Sequence, residues 1–411
     1  MKKIVILGGG VGGIVTANEL IKRLNTGHKV IVIEKNKEHA FAPSFLWLMT
    51  GSRKKENIKV DISSLLQKGV EIINEEVLEI NIDEKLIGTS NRKIDYDYLI
   101  VALGAAMHPE SIPGNPSGAH NYYTLEGAEK LYHGLQKFTE GKIAVVITSL
   151  PFKCPAAPYE GALLISDFFE TKNIRDKIDI SIYTPEPFPM PVGGPGLGEA
   201  VKQVLASKHI NLHTQHKIFE VDNSRKELLF EANGKYGYDM LVIIPPHKAP
   251  SVIQHSELAG QSGWIPVDRS TLQTKFPNVY AIGDVTSITI PGKWKPDVPL
   301  MLPKAGIFAH LQAEIAAERI SSEINGEVPK TVFCGDGFCM LEAGEHSAGF
   351  AYGNFFGEPS PDVKIRNVGK SWHYGKIIFE KWWLSSFGIK KSLLKFLMKI
   401  GSSIMRIPIK F

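Results

Sequence analysis

The residues Gly8-Gly9-Gly10-Val11-Gly12-Gly13 constrain this chain more than any other stretch. They follow an apolar run of buried-strand type, Ile4-Val5-Ile6-Leu7, and open a helical pattern marked by Ile14, Ala17, Leu20, Ile21 and Leu24. A second apolar run, Lys29 to Ile33, ends at Glu34. In this setting Gly8 permits a tight turn, Gly10 lets backbone N–H groups approach a pyrophosphate, and Gly13 lets helix and strand pack closely. Glu34 lies about 20 residues beyond the loop, where a carboxylate accepts the ribose hydroxyls of an adenosine half. The chain therefore begins with a dinucleotide site.

At 411 residues there is room for two or three domains with proper cores. Three cysteines exclude a disulfide scaffold and leave structural or catalytic thiols. Met1-Lys2-Lys3 before apolar residues superficially resembles a signal peptide, but the apolar run is the nucleotide strand, so none is expected. No uninterrupted apolar window reaches the roughly 18 residues of a membrane span.

Strands are expected over Val70 to Ile82 and Lys93 to Gly104, the latter running into a glycine turn, followed by a Pro/Gly linker from Pro109 to Gly118. A second α/β unit starts at Lys142, with a strand Ile143 to Thr148, a helix from about Pro155 to Glu170 and a strand Asp179 to Thr184. Past Pro185 to Gly198 come another helix and strands near Ile218, Leu228 and Met240 to Ile244. The chain then returns to the first unit through Val279-Tyr280-Ala281-Ile282-Gly283-Asp284 and a helix Pro303 to Ile320. The fold class is α/β, with two Rossmann-like dinucleotide-binding domains and a C-terminal amphipathic membrane-surface region. The expected domains are 1–110 with 260–330, then 111–259, then 331–411.

Asp284, at the end of a buried strand, is placed to accept hydrogen bonds from the ribitol of FAD. Lys304 and the helix start beside it are placed to stabilise negative charge on a reduced flavin. Phe41 to Leu48, which includes Pro43, is too apolar for an exposed loop and reads as a buried connection or a loop against a flavin ring.

In the second unit the turn after the strand reads Ser149-Leu150-Pro151-Phe152-Lys153-Cys154-Pro155-Ala156-Ala157-Pro158-Tyr159-Glu160. It holds no glycine, and prolines lack N–H donors, so it is poorly suited to a diphosphate. It places Cys154 where a helix begins, with Pro155 suited to the first helical position and the helix dipole expected to depress the thiol pKa.

The motifs at Gly8, at Leu99 to Gly104 and at Tyr280 to Asp284 resemble the two-dinucleotide-domain flavoproteins. Within that superfamily, Cys154-Pro155 followed by Tyr159-Glu160 resembles the sulfide:quinone oxidoreductases. Phe41 to Ile58 (Pro43-Ser44, Trp47, Gly51, Arg53) is similar to that family's first flavin loop, and Cys339 to its second redox cysteine. Arg366-Asn367-Val368 and His373 to Glu380 resemble its quinone-side segment, with Lys376 and Phe379 on positions associated with quinone. The resemblance implies an FAD enzyme that oxidises sulfide through Cys154 and Cys339 and releases polysulfide or sulfur. Glu160 is implied as a nearby acid or base, and quinone as the electron acceptor. Some members carry an earlier cysteine that can bind FAD covalently; none precedes Cys154, so the FAD is expected to be non-covalent. Cys334 is extra, and three cysteines are too few for a zinc site.

From Trp372 to Phe411 the chain holds three of its six tryptophans, and eight Lys/Arg against one acid, Glu380. Ile389, Leu393, Leu394, Phe396, Leu397, Ile400 and Ile404 alternate with Lys390, Lys391, Lys395 and Lys399, an interfacial pattern suited to anionic lipids. The expectation is a peripheral membrane protein, on the cytoplasmic face by default, without nucleic-acid contacts; homo-oligomerisation stays open. Three rivals remain: a type II NADH:quinone oxidoreductase, a cytochrome-coupled sulfide dehydrogenase, and a non-catalytic flavin redox sensor or membrane-docking protein.

Overall fold

A computed structural model describes residues 1–407 except Asn115, Ser117, Pro296 and Asp297. Parts of the expected 109–118 linker, and the tail beyond residue 407, therefore lie outside the described residues.

Ile4, Val5, Ile6 and Leu7 are fully buried, which is why this run forms the centre of a sheet rather than an edge. Each such side chain contributes roughly 1.5–3 kcal/mol on leaving water. The strand Lys3–Leu7 pairs in parallel with Lys29–Ile33 on one side and Tyr98–Val101 on the other. Val70–Ile73 and Val279–Ala281 complete the sheet at its two edges. A strand from beyond residue 278 thus closes a sheet begun at residue 3. The expected Val70 to Ile82 strand ends early, and Val77–Asn81 joins a separate antiparallel sheet with Leu86–Thr89 and Lys93–Asp95.

A second parallel sheet has the order Ile210–His213, Ile178–Tyr183, Gly141–Ile147, Met240–Ile244. The strand Gly141–Ile147 leads to the helix Ala157–Thr171. The helix starts two residues later than expected: Pro158, not Pro155, lies in its first turn. Cys154 adopts a left-handed backbone (φ 57°) ahead of it.

The sequence reading assigned no sheet to the C-terminal region. Asp336–Gly344, Ser347–Asn354 and Asp362–Gly369 form a three-stranded antiparallel sheet, which leads into the helix Lys370–Trp383 and the tail helix Ile389–Ile404. Trp382, Trp383 and Met398 pack into the same apolar core as Ile4 and Ile6, so this region is anchored on the first sheet. Among the described residues no helix is long and apolar enough to cross a membrane.

Candidate active site

The nucleotide loop has the geometry its glycines suggest. Gly8 lies at φ 101°, and a Cβ on Gly13 would stand 1.9 Å from the Gly8 carbonyl oxygen, so neither tolerates a side chain. A Cβ on Gly10 would meet open space, on the side where a pyrophosphate approaches the helix Val11–Arg23. The Glu34 carboxylate is held at the loop, accepting from the Gly9 N–H (2.7 Å) and from Asn36 N–H and side-chain amide (both 2.9 Å).

The rest of the cradle fits FAD. Gly104 turns the chain at φ 68° after the strand Tyr98–Val101. Gly283 (φ 72°) donates its N–H to Gln312 Oε1 at 2.7 Å. The next residue, Asp284, is the informative one: its Oδ1 is buried with no hydrogen-bond partner among the described residues, and burial raises its pKa. A buried acceptor without a donor costs about 1–3 kcal/mol, and the hydroxyls of a ribitol chain supply that donor. Lys304 is held close to Asp284. Its ammonium donates to the Asp284 (2.6 Å) and Thr286 (3.1 Å) carbonyls and lies 3.4 Å from the Trp264 ring centroid, so its charge is tied to the protein. Burial lowers its pKa to about 8.

Pro43 lies in a short 3-10 turn, Ala42–Ser44, where it and Ala42 are exposed between buried Phe41 and Ser44, so the expected buried stretch is interrupted there. That loop is fastened to the C-terminal region by a contact the sequence did not reveal. Ser44 Oγ donates to Glu380 Oε1 at 2.5 Å, and Arg53 bonds the same buried carboxylate at 2.9 to 3.1 Å. A second tie reaches the nucleotide loop itself. Trp383 Nε1–H donates to His39 Nε2 (2.8 Å), which leaves Nδ1 to donate to the Gly9 carbonyl (3.2 Å). Burial lowers the His39 pKa and keeps this imidazole neutral.

The two cysteines border one buried charge cluster. Cys154, whose N–H donates to the Lys304 carbonyl (2.6 Å), and Cys339, on the strand Asp336–Gly344, are both half-buried, unbridged and packed against the same core. The expected depression of the Cys154 pKa is corrected: burial pushes it up to about 12, and Glu160 pushes the same way, outweighing Lys376 and the Ala157 amide, which lower it. Cys339 is raised by burial and then by Cys154.

Lys376 lies in the same cluster. It is buried, paired with Glu160 and 3.8 Å from Glu342 Oε1, and lies 5.0 Å from the Trp47 ring centroid. Burial works against its charge, but the two carboxylates prevail and raise its pKa. Burial, opposed by Lys376 and reinforced by Glu342, raises the Glu160 pKa. Two carboxylates thus share one ammonium, and the raised pKa of Glu160 favours its protonated form. His373, which donates from Nδ1 to Glu342 Oε2 at 2.7 Å when that nitrogen is protonated, extends the cluster. Glu342 lies on the same strand as Cys339, and its spacing of three residues gave no signal for its role, because side chains alternate between the two faces of a strand. Phe379, one helical turn beyond Lys376, packs obliquely on Phe41 (5.9 Å) and Trp382 (5.5 Å). Cys334 is exposed on a loop.

Outside the second sheet, a cleft of about 540 Å³ runs past Thr148, Ser149, Leu150, Pro151 and His247. This is where the companion domain of such a fold holds a second dinucleotide, and here its turn offers no glycine.

Residues 2–305 match the sequence model of the family described as pyridine nucleotide-disulphide oxidoreductase. The chain is 32% identical over 302 residues to the mitochondrial sulfide:quinone oxidoreductase of Mus musculus, a match covering 70% of this chain and 66% of that protein. It is 29% identical over 394 residues to the sulfide-quinone reductase of Aquifex aeolicus, covering 93% and 90% of the two chains. The solved Aquifex sulfide:quinone oxidoreductase superimposes with a TM-score of 0.85 at 24% identity, over 99% of this chain and 96% of that one. That likeness establishes the same α/β flavoprotein architecture. By fold, glycine cradle and family match, the chain belongs to the pyridine nucleotide-disulphide oxidoreductase family.

Proposed function

We propose that this chain is a membrane-surface sulfide:quinone oxidoreductase that binds FAD non-covalently. One observation carries the reading: two half-buried cysteines border the Glu160–Lys376–Glu342 cluster, and Cys154 occupies the turn where an NADH domain needs its glycines. FAD, when bound, accepts two electrons and gives them to a second acceptor. The Gly8–Gly13 loop, Glu34, Gly104, Gly283 and Asp284 hold it, and residues 1–110 and 260–330 form its domain, with 111–259 as the companion and 331–411 as the quinone and membrane side.

Hydrosulfide attacks one sulfur of an oxidised Cys154/Cys339 pair. An S–S bond to the substrate forms as the bond between the cysteines breaks, leaving a persulfide on one and a thiolate on the other. Glu160 takes the proton of the attacking hydrosulfide, and Lys376 beside it stabilises the thiolate. Lys376 is the group that opposes burial and Glu160 at Cys154, lowering the thiol pKa where they raise it. A second hydrosulfide attacks the persulfide and breaks its bond to the cysteine, so sulfur leaves as a disulfide anion, the shortest polysulfide; the two electrons released as the cysteines re-form their bond would go to bound FAD and from it to quinone on the Phe379 side. The reading is tested by sulfide-dependent quinone reduction in cysteine variants. Cys154→Ser and Cys339→Ser abolish turnover while retaining FAD, whereas Cys334→Ser keeps at least half. Full activity in both of the first two would overturn it.

The tail helix exposes Ile389, Leu393, Phe396, Leu397, Ile400 and Ile404, with spacings of four, three, one, three and four residues that align them on one face. We place this face in the acyl boundary of a membrane. Lys390 and Lys399 are exposed and flank it, where their ammoniums reach headgroups.

A further inference from the structure

The sequence pattern sends all four tail lysines outward, but Lys391 and Lys395 turn the other way. They line a cleft of about 560 Å³ between the tail helix and the body, joined there by Lys22 from the helix Val11–Arg23 and by Lys68. Four lysines thus face two carboxylates, Glu19 and Glu314. Both acids already have partners: Glu19 pairs with Lys22 (2.6 Å) and Arg23 (3.3 Å), and Glu314 faces His310 (3.5 Å). Lys391 donates to one carbonyl, Ser385 O, at 2.9 Å. Burial and the crowding of Lys22 and Lys395 lower its pKa to about 8, and burial, Lys22 and Lys399 lower that of Lys395. Gly388 and Ser392 also line the cleft, and no side chain caps the tail helix there. An uncapped helix N-terminus among excess ammoniums favours an anion with several oxygens.

The opposite face of the same helix is the exposed apolar one. An interfacial helix sinks its apolar face about 5–10 Å into the headgroup/acyl boundary, and a helix is roughly 10 Å across. Lys391 and Lys395 therefore stand at the level of lipid phosphates when that face is seated.

We propose that this cleft is a specific site for the phosphate of an anionic phospholipid headgroup, clasped between Lys391 and Lys395 of the tail and Lys22 and Lys68 of the body. The inference rests on the membrane-surface reading and goes beyond it, because Lys22 and Lys68 lie outside the amphipathic tail. A general electrostatic attraction would involve Lys390 and Lys399 at least as strongly as these body residues.

The experiment uses the full-length FAD-loaded protein and two vesicle preparations, phosphatidylcholine alone and phosphatidylcholine with one-fifth phosphatidylglycerol. It compares the parent with Lys22→Gln/Lys68→Gln, Lys391→Gln/Lys395→Gln and Lys390→Gln/Lys399→Gln. The first two pairs lower the preference for phosphatidylglycerol vesicles about tenfold or more, while the third lowers it less. Unchanged flavin absorbance and melting temperature verify that each variant is folded, since all these residues contact solvent or the cleft. Parental preference in both cleft pairs, with the parent still binding vesicles, overturns the headgroup site alone. A parent that binds neither vesicle overturns the membrane reading and the site together. If soluble glycerol phosphate at vesicle-equivalent phosphate concentration displaces the protein from phosphatidylglycerol vesicles, the site takes free phosphate esters and the lipid assignment falls.

Discussion

Replacing Lys376 by methionine removes the one ammonium that serves both Glu160 and Glu342 while keeping nearly the same side-chain volume. Glu160 is 2% exposed and Glu342 1%, so neither carboxylate can turn to water. Breaking a buried pair by removing one partner costs about 3–5 kcal/mol, a large share of a domain's roughly 5–15 kcal/mol. Part of this is recovered when the carboxylate is neutralised as well: Glu160→Gln/Lys376→Met is expected to be more stable than Lys376→Met alone, with a coupling energy of about 1–3 kcal/mol. Urea unfolding of the FAD-bound protein, followed by circular dichroism, measures all three variants. A second readout concerns the chemistry. Lys376 lowers the Cys154 pKa and Glu160 raises it, so the pH midpoint of Cys154 alkylation moves up in Lys376→Met and down in Glu160→Gln. A Lys376→Met protein within about 1 kcal/mol of the parent, or a double variant weaker than the single, would refute the shared-ammonium arrangement.

Glu186 is buried, bonded to the Tyr159 hydroxyl and 3.0 Å from Thr184 Oγ1, and burial raises its pKa from 4.5 to about 7. A raised folded-state pKa gives stability that is fully present below pH 4.5 and lost as pH rises to about 7, by about 3 kcal/mol. Glu186→Gln should flatten melting curves across that window, and an unchanged pH slope would contradict it. Acid or heat denaturation should release all flavin as FAD, whereas colour left on the precipitated chain would show a covalent link. Asp284→Ala removes the orphaned acceptor and is expected to weaken FAD retention by about 1–3 kcal/mol, read by fluorescence titration of the apoprotein. Truncation after Ser386 should abolish vesicle sedimentation yet keep FAD, because the Glu380 and Trp383 ties survive; a truncated protein that still sediments would move the membrane contact elsewhere.

The glycine turn and the strands around it were legible because each part is local. A glycine turn between a strand and a helix, an acid ending the next strand and a Gly-Asp after a third strand are each confined to a few residues. The charge cluster was hidden for the opposite reason: Glu160 and Lys376 are 216 residues apart, and only tertiary burial converts them into a pair. Cys154 shows both effects. Its position ahead of a helix could be read from Pro155 to Glu160, but the burial that outweighs the helix's pull on its proton could not. Lys391 and Lys395 were misread although a signal existed: at 3.6 residues per turn they share the face of Met398 and Ser402, both buried, rather than that of Leu393 and Ile400. The sheet Asp336–Gly369 escaped notice because its strands alternate weakly, with long half-buried runs on the first and exposed ones on the last.

The identity of the electron donor tests the central claim most directly. The FAD-loaded protein, mixed anaerobically with excess sulfide in a stopped-flow spectrophotometer, should lose its flavin absorbance within the time of a turnover, and added quinone should restore it. NADH at the same concentration should bleach it only slowly, since the Ser149–Glu160 turn gives a diphosphate no glycine cradle. Rapid bleaching by NADH and none by sulfide would contradict the account and assign the chain to NADH oxidation.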